Sequence, residues 1–387
     1  MAKLGEICTV VSGTTPKSAR PEYWDGDLNW ITPAELTDES DVIYETQRKI
    51  TQQAVIDSSL KSFPAGTVLL SSRAPIGKAA IAGTEMYCNQ GFKNLVCSDK
   101  IFNRYLYHFL KSKTDYLNSL GRGATFKEIS KSIVENIEVP LPPPDEQRKI
   151  AAVLDKVSNL IAKRRQQLEK LDEMVKARFV EMFGDPVNNG LNITSMPMTK
   201  ICDIIDGDRG KNYPTENEFS VEGYCLFLNA KNVTYNGFNF ENCMFITKKK
   251  DELLRKGHLH RGDIVLTTRG TIGNLAFYDD SIPYENVRIN SGMVILRMDR
   301  DLVSEHFFIE QFKMQLSLIK QKIASGSAQP QLPISTMNKI NMLVPSLELQ
   351  NQFSDYVVQI GKEKNIISCS LGKLETLKKA MMQEYFG

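Results

Sequence analysis

The sequence predicts a mixed α/β protein with largely antiparallel sheets, in which two pseudo-repeated domains are joined by two long antiparallel coiled-coil helices. Three observations predict it. The chain repeats itself, with Ile7-Cys8 and Gly13 returning as Ile201-Cys202 and Gly207. The repeat offset drifts from 194 to 201 through the front of each copy, then stays at 203 from Gly123 to the end. The constant part carries apolar residues at close to 3.5-residue spacing, as a coiled-coil seam requires.

Composition sets the outer limits. At 387 residues the chain is long enough for two to three domains. A formal net charge of only +2 means that any nucleic-acid affinity must come from local basic surface. The seven cysteines form no C-x-x-C pair and read as reduced thiols of a cytoplasmic protein. No run of 18 apolar residues and no leader-like N-terminus occurs, so neither export nor a membrane partner is expected.

Each front part opens with an apolar strand and a glycine turn, Ile7 to Gly13 and Ile201 to Gly207. Asn29-Trp30-Ile31-Thr32-Pro33 predicts a second strand, loosely matched by Phe227-Leu228-Asn229-Ala230-Lys231. The run Gly66-Thr-Val-Leu-Leu-Ser-Ser-Arg-Ala-Pro-Ile-Gly77 returns as Gly262-Asp-Ile-Val-Leu-Thr-Thr-Arg-Gly-Thr-Ile-Gly273, a strand ending in a tight turn. Asn89-Gln90-Gly91 returns as Asn290-Ser291-Gly292. A helix over 103–120 or 304–324 and a Gly/Ser/Thr loop close each front part.

The back parts are helices. Prolines 140 to 144 stop what precedes, Asp145 offers an N-cap, and Gly184 a C-terminal stop. The stretch between is roughly 37 residues, about 55 Å of helix at 1.5 Å per residue. Helix-pairing positions are Val157, Leu160, Leu168, Leu171 and Met174 in the first copy, and Ile360, Ile367, Leu371, Leu374 and Leu377 in the second. A helix so long and polar needs a partner. The order head, helix, head, helix lets the second helix return along the first, an antiparallel rod with a head at each end. The other arrangement is two helices that each pack on their own head.

Enzyme signatures are missing. The chain has no P-loop, no G-x-G-x-x-G and no G-x-S-x-G elbow. His258-x-His260 lacks a neighbouring third ligand, so no metal site is expected. Leu141-Pro-Pro-Pro144-Asp145 lacks the aromatic of an amino-methyltransferase motif. The chain is expected to be non-catalytic.

Several of these residues resemble one family. They are the opening Leu4-Gly5-Glu6-Ile7 to Gly13, the Ser71-Ser72-Arg73 and Thr267-Thr268-Arg269 turns with their following Ile-Gly, and Ile137-Glu-Val-Pro-Leu-Pro-Pro-Pro-Asp-Glu-Gln147 leading into a long helix. Together they resemble the specificity subunit of type I restriction-modification enzymes over essentially the whole chain. The second copy departs in having Ser346-Leu347-Glu348-Leu349 before Gln350. The resemblance implies target recognition domains at 1–145 and 185–348, with conserved spacer helices at 146–184 and 349–387. It implies that each domain reads half of a bipartite double-stranded DNA site while the helices set the gap. It also implies two methyltransferase subunits docked on the helices, and translocating restriction subunits. S-adenosylmethionine, ATP and Mg are then expected on those partners, with no cofactor in this chain. The other readings are the specificity subunit of a related methylase–nuclease system, or a protein-interaction scaffold that touches no nucleic acid.

Candidate DNA contacts follow from polar, basic loops that differ between copies. The first loops offer Thr14, Thr15, Lys17, Ser18 and Arg20 against Arg209, Lys211, Asn212 and Tyr213. Arg73 and Arg269 are either phosphate or guanine contacts, or arginines that tie down the turn. Lys78 and Asn274 occupy one position with different chemistry. Asn89, Gln90 and Lys93 answer to Arg288 and Asn290. The late loops hold Arg122, Thr125 and Lys127, and Gln329 and Gln331. Trp24 and Trp30 read as core, and Lys163, Arg164 and Arg165 as a solvated helix face.

Overall fold

The computed structural model describes residues 1–73, 75–123, 127–324 and 331–387. The chain forms two units, Met1–Gln166 with Ser368–Gly387, and Gln167–Ile367. The dividing points fall inside the two long helices, Pro144–Phe183 and Leu347–Phe386, of 40 residues each. Each unit therefore holds one head, the first part of one helix and the last part of the other.

In the first unit a five-stranded sheet runs in the order Cys8–Ser12, Lys93–Cys97, Val68–Leu70, Ala79–Ala82, Val42–Ile43. Its pairs are antiparallel except the last, which is parallel. A three-stranded sheet sets Trp24–Ile31 between Lys49–Ile50 and Tyr87–Cys88. In the second unit, Cys202–Asp206, Met293–Met298, Ile264–Thr267 and Leu275–Phe277 make an antiparallel sheet in the same order. Cys225–Leu228 lies between Phe245–Ile246 and Val287–Ile289, again antiparallel on one side and parallel on the other. A strand from each head's start pairs with one from its end, Ala2–Lys3 with Glu138–Val139 and Ser195–Pro197 with Asn341–Leu343. The sequence repeat is therefore a repeat of topology.

The central strands Val68–Leu70 and Ile264–Thr267 are apolar on both faces because both faces are covered. In the first unit Leu95, Val68 and Leu70 pack on Leu106, Leu110 and the helix residues Ala151 and Leu154. In the second, Ile264, Leu266 and Leu296 pack with Phe307, Phe308, Phe312, Phe179 and Phe353. The helix over 103–120 is broken into Asn103–Ser112 and Thr114–Ser119, whereas its counterpart Glu305–Ala324 is continuous.

Within each unit the helix segments run antiparallel. In the first, Arg165 pairs with Glu375 at 2.7 Å, while Ala151 and Leu154 share a cluster with Phe386. In the second, Lys364 pairs with Asp172 at 2.6 Å, while Phe353 meets Phe183 with ring centroids 5.7 Å apart. The last turn of each helix ends on a head: Phe183 on Phe307 at 4.9 Å, and Phe386 on Tyr105 at 5.2 Å. This contact accounts for the repeated phenylalanine at 183 and 386, and positive φ for the glycine after each.

Two expectations need correction. The first helix begins at Pro144, so Asp145 lies in its first turn instead of capping it. A proline there is favoured because its φ is already helical and its missing N–H has no helical partner. Three of the expected pairing positions also lie outside the buried stripe. Leu160, Met174 and Leu377 are exposed by 40%, 48% and 48%. Ala151, Leu154, Val157, Ile161, Leu171, Val175, Phe179 and Phe183 carry the burial of the first helix. Val157, Leu171 and Ile360 are buried as expected, and Leu168, Ile367, Leu371 and Leu374 half-buried.

Candidate nucleic-acid interface

The loops named from sequence converge in each unit, bonded to one another by the backbone. Strand Cys8–Ser12 ends at Gly13, which lies so close to the next turn that a Cβ would fall 2.0 Å from the Cys88 carbonyl oxygen. At Gly207 a Cβ would fall 2.3 Å from the Asn290 carbonyl oxygen. No side chain fits at either position, and the two identical glycines follow from that. The Thr14 N–H then donates to the Cys88 carbonyl (3.1 Å), and the Thr15 hydroxyl donates to the Gln90 side chain. In the second unit Arg209 reaches Asp206 (3.0 Å) and the Ser291 carbonyl (3.2 Å).

Asn89 and Asn290 shape their own turns, each side-chain oxygen accepting from the glycine N–H two residues on at 2.9 Å. The next turn is held by Ser71 or Thr267. Their hydroxyls accept from the Lys78 N–H (2.9 Å) and the Asn274 N–H (3.0 Å), and their carbonyls accept from Gly77 and Gly273. Both glycines have positive φ, 89° and 93°, where other residues are strained. Ser72 N–H donates to the Gly91 carbonyl (2.7 Å) and Thr268 N–H to Gly292 (2.8 Å), joining this turn to the previous one. Ile129 and Leu332 donate to the carbonyls of Ser72 and Thr268, which brings in the late loop.

Arg73 and Arg269 anchor that late loop. Arg73 Nε donates to Glu128 (2.9 Å), which also receives Lys93 Nζ (3.1 Å); Arg269 Nε donates to the Gln331 side chain (3.1 Å). Burial pulls the Glu128 carboxyl upward, but the hydrogen bonds from Lys93 and Arg73 outweigh it and hold the group below the usual range. Arg73 remains 43% exposed, so a tethered guanidinium still faces solvent.

Other sequence candidates are committed to the framework. Lys78 Nζ donates to the Leu36 carbonyl (2.8 Å), and the Asn274 amide to the Val233 carbonyl (3.0 Å). Both carbonyls directly follow a short 3-10 turn, so two different residues make one tether. Lys93 and Arg288 are buried, at 7% and 6% exposure. Arg288 pairs with Asp251 and donates to the carbonyls of Lys256 (2.8 Å) and Leu254 (3.2 Å). Asn212 donates to the Leu253 carbonyl (3.1 Å), and Tyr213 packs edge-on against Phe227. Lys17, Ser18, Arg20, Gln90, Arg122 and Lys127 are exposed in the first unit, and Arg209, Lys211, Arg269 and Gln331 in the second. Thr125 and Gln329 lie outside the described residues.

Sequence reasoning missed a second basic feature. The exposed Arg48 guanidinium stacks 3.7 Å from the Trp24 ring centroid and 5.4 Å from that of Trp30, which is itself buried. Trp30 Nε1 donates to the Thr14 carbonyl, which ties this stack to the first loop (3.2 Å). In the second unit exposed Lys248 sits 5.7 Å over Tyr224, immediately before the corresponding strand. The run Lys248-Lys249-Lys250 was a legible signal for the second pair; Arg48 is too far from Trp24 in sequence to have been found.

A family model for the type I restriction modification DNA specificity domain matches this chain twice, over residues 1–171 and 194–376. The type I restriction enzyme MjaIX specificity subunit of Methanocaldococcus jannaschii is 31% identical over 373 residues, covering 92% of this chain and 85% of that protein. The MjaVIII specificity subunit of the same organism is 25% identical over 401 residues, covering 98% and 89%. Among solved structures, the type I restriction-modification system S subunit from M. genitalium superposes with a TM-score of 0.57 at 16% identity, covering 100% of this chain and 95% of that one. A chain from a structural study of type I R-M complex assembly and conformational transition gives a TM-score of 0.54 at 17% identity, covering 99% and 96%. These two likenesses concern the fold.

Proposed function

Since this chain belongs to the type I restriction modification DNA specificity family, we propose that each of its two units reads one half of a bipartite double-stranded DNA site through its four bonded loops. The observation that carries this reading is the doubled loop cluster. The hydrogen bonds of its Ser71–Gly77 and Thr267–Gly273 turns recur in both units, while its exposed side chains differ: Lys17, Arg20 and Gln90 in one, Arg209 and Lys211 in the other. Equivalent framework with dissimilar tips is what two unlike half-sites require. Arg73, Arg269, Arg48 and Lys248 suit phosphates, which position without reading sequence. Thr14, Thr15, Gln90 and Gln331 suit base edges.

The two domains are 1–145 and 185–348, and the helices 146–184 and 349–387 set the gap. The exposed apolar residues Val153, Leu160, Met174 and Val180 of the first helix, and Val358, Ile366 and Leu377 of the second, offer partner surface. Two methyltransferase subunits dock there, and restriction subunits join them in the cytoplasm. Catalysis, S-adenosylmethionine, ATP and Mg belong to those partners, and this chain is non-catalytic. Among the described residues no group of three or more metal-ligating side chains occurs. Among the described residues no helix is long and apolar enough to cross a membrane.

The test is a DNA shift assay on the purified chain with and without its methyltransferase subunits, using the site found by methylome sequencing. Binding strengthens when the methyltransferase is added, and scrambling either half-site abolishes the gain. Equal binding to scrambled DNA would end the proposal.

A further inference from the structure

Cys8 and Cys97 face each other across the first two strands of the five-stranded sheet. Their register decides the geometry. The Ser98 N–H donates to the Ile7 carbonyl at 3.0 Å, which places the ladder's hydrogen bonds at Ile7 and Ser98. The next opposed pair along an antiparallel ladder is then the non-hydrogen-bonded kind, with Cα atoms about 4.5 Å apart. That lies at the short end of the span a disulfide bridges, about 4.4–6.8 Å. Opposed residues also project to the same face. The neighbouring Cys97 thiol and burial push the Cys8 thiol well above the ordinary thiol range.

Access is one-sided. Cys8 is buried, whereas Cys97 is half-buried and lines an open cleft of about 330 Å³ with Thr67, Ser98, Phe102 and Arg148. The second unit holds no such pair, since Cys202 faces Met298 at the corresponding register.

We propose that Cys8 and Cys97 are a site of reversible oxidation, closing to a cross-strand disulfide when the protein meets a hydroperoxide. Hydrogen peroxide oxidises the Cys97 thiol to a sulfenic acid and leaves as water. The Cys8 sulfur then attacks the Cys97 sulfur, the S–O bond breaks, and a second water leaves with the thiol proton. Two thiols and one peroxide give one disulfide and two waters. The bond pins the edge strand Cys8–Ser12 to its neighbour at the end opposite Gly13. A dithiol reductant reverses it.

The experiment treats the full chain with hydrogen peroxide under native conditions, blocks remaining thiols with N-ethylmaleimide, and maps unreduced peptides by mass spectrometry. The expected result is a Cys8–Cys97 linked peptide, two hydrogens lighter than its parts, that disappears on reduction. Cys202 and Cys225 stay alkylatable on unfolding. In Cys97→Ser the linked peptide is lost while Cys8 remains a thiol. Exposed Cys369 reports that peroxide has acted. Should Cys369 oxidise while Cys8 and Cys97 stay thiols, or Cys97 pass to sulfinic acid with Cys8 unlinked, the proposal fails.

Discussion

Gln147 and Gln350 show how a single side chain fixes a long helix to a head. Both are fully buried. Gln147 accepts from the Phe102 N–H (2.8 Å) and donates to the carbonyls of Lys100 (3.0 Å) and Pro142 (2.8 Å). Gln350 accepts from Ser304 N–H and donates to Leu302 and Pro345, each at 2.9 Å. Only an uncharged amide supplies both the acceptor and the two donors. Gln147→Ala leaves these buried groups unpaired and costs about 2–3 kcal/mol in urea unfolding. A second residue-scale expectation concerns acid. Burial pushes His108 below its usual value despite its hydrogen bond to Asp155, and its Nδ1 is without a partner among the described residues. Because the folded value is the lower one, the unfolded chain binds the proton first. Stability is full above the unfolded value of about 6.5 and falls as pH drops below it. Asp155 is also pulled upward by burial, but its hydrogen bonds from His108 and Arg104 prevail and hold it low. Its contribution is present above about 3.9 and fades only in stronger acid, as pH falls through the lowered folded value. His108→Gln therefore flattens the loss of stability between pH 7 and 5, read by chemical denaturation at each pH. An unchanged slope would count against this assignment.

At the scale of elements, the helices separate burial from apolarity. Phe179 is fully buried against Phe183, Phe307 and Phe353. Phe179→Ala opens a cavity and costs about 3–5 kcal/mol. Met174, one turn and a residue away, is exposed, and Met174→Ser changes stability by less than about 0.5 kcal/mol. The same two substitutions, compared by thermal unfolding, locate the true seam. The periodicity of these helices was legible, but its phase only in part, since Val157, Leu171 and Ile360 are buried while Leu160, Met174 and Leu377 are exposed. Two apolar stripes lie side by side on the first helix, and only contact with the neighbouring segment tells which is inside. Lys364 shows the converse, a charged residue that pairs with Asp172 against the seam. The head loops divide similarly. Glycines 13, 77, 207 and 273 were visible as identities, because backbone proximity or positive φ forces them. Arg288 and Lys78 looked like contacts because loop composition carries no record of which basic groups find carbonyls or a carboxylate inside the head.

For the whole molecule, the proposed spacing role predicts a geometric outcome. Adding one heptad to each long helix at matched positions within 155–178 and its repeat keeps the seam in phase. Seven residues lengthen a helix by about 10 Å. At 3.4 Å per step that is about three base pairs. The modified site, mapped by methylome sequencing, gains about three base pairs between unchanged half-sites; altered half-site bases would contradict the spacing role. The sequence by itself determined the duplication, the helical tails and the framework turns, since each is written in local spacing or in residues that nothing else can replace. Tertiary structure alone decided which helix stripe is buried, which arginines are tethered, and that Arg48 meets Trp24 and Cys8 meets Cys97. Those are pairings between residues far apart in the chain, and only the folded backbone brings them within reach.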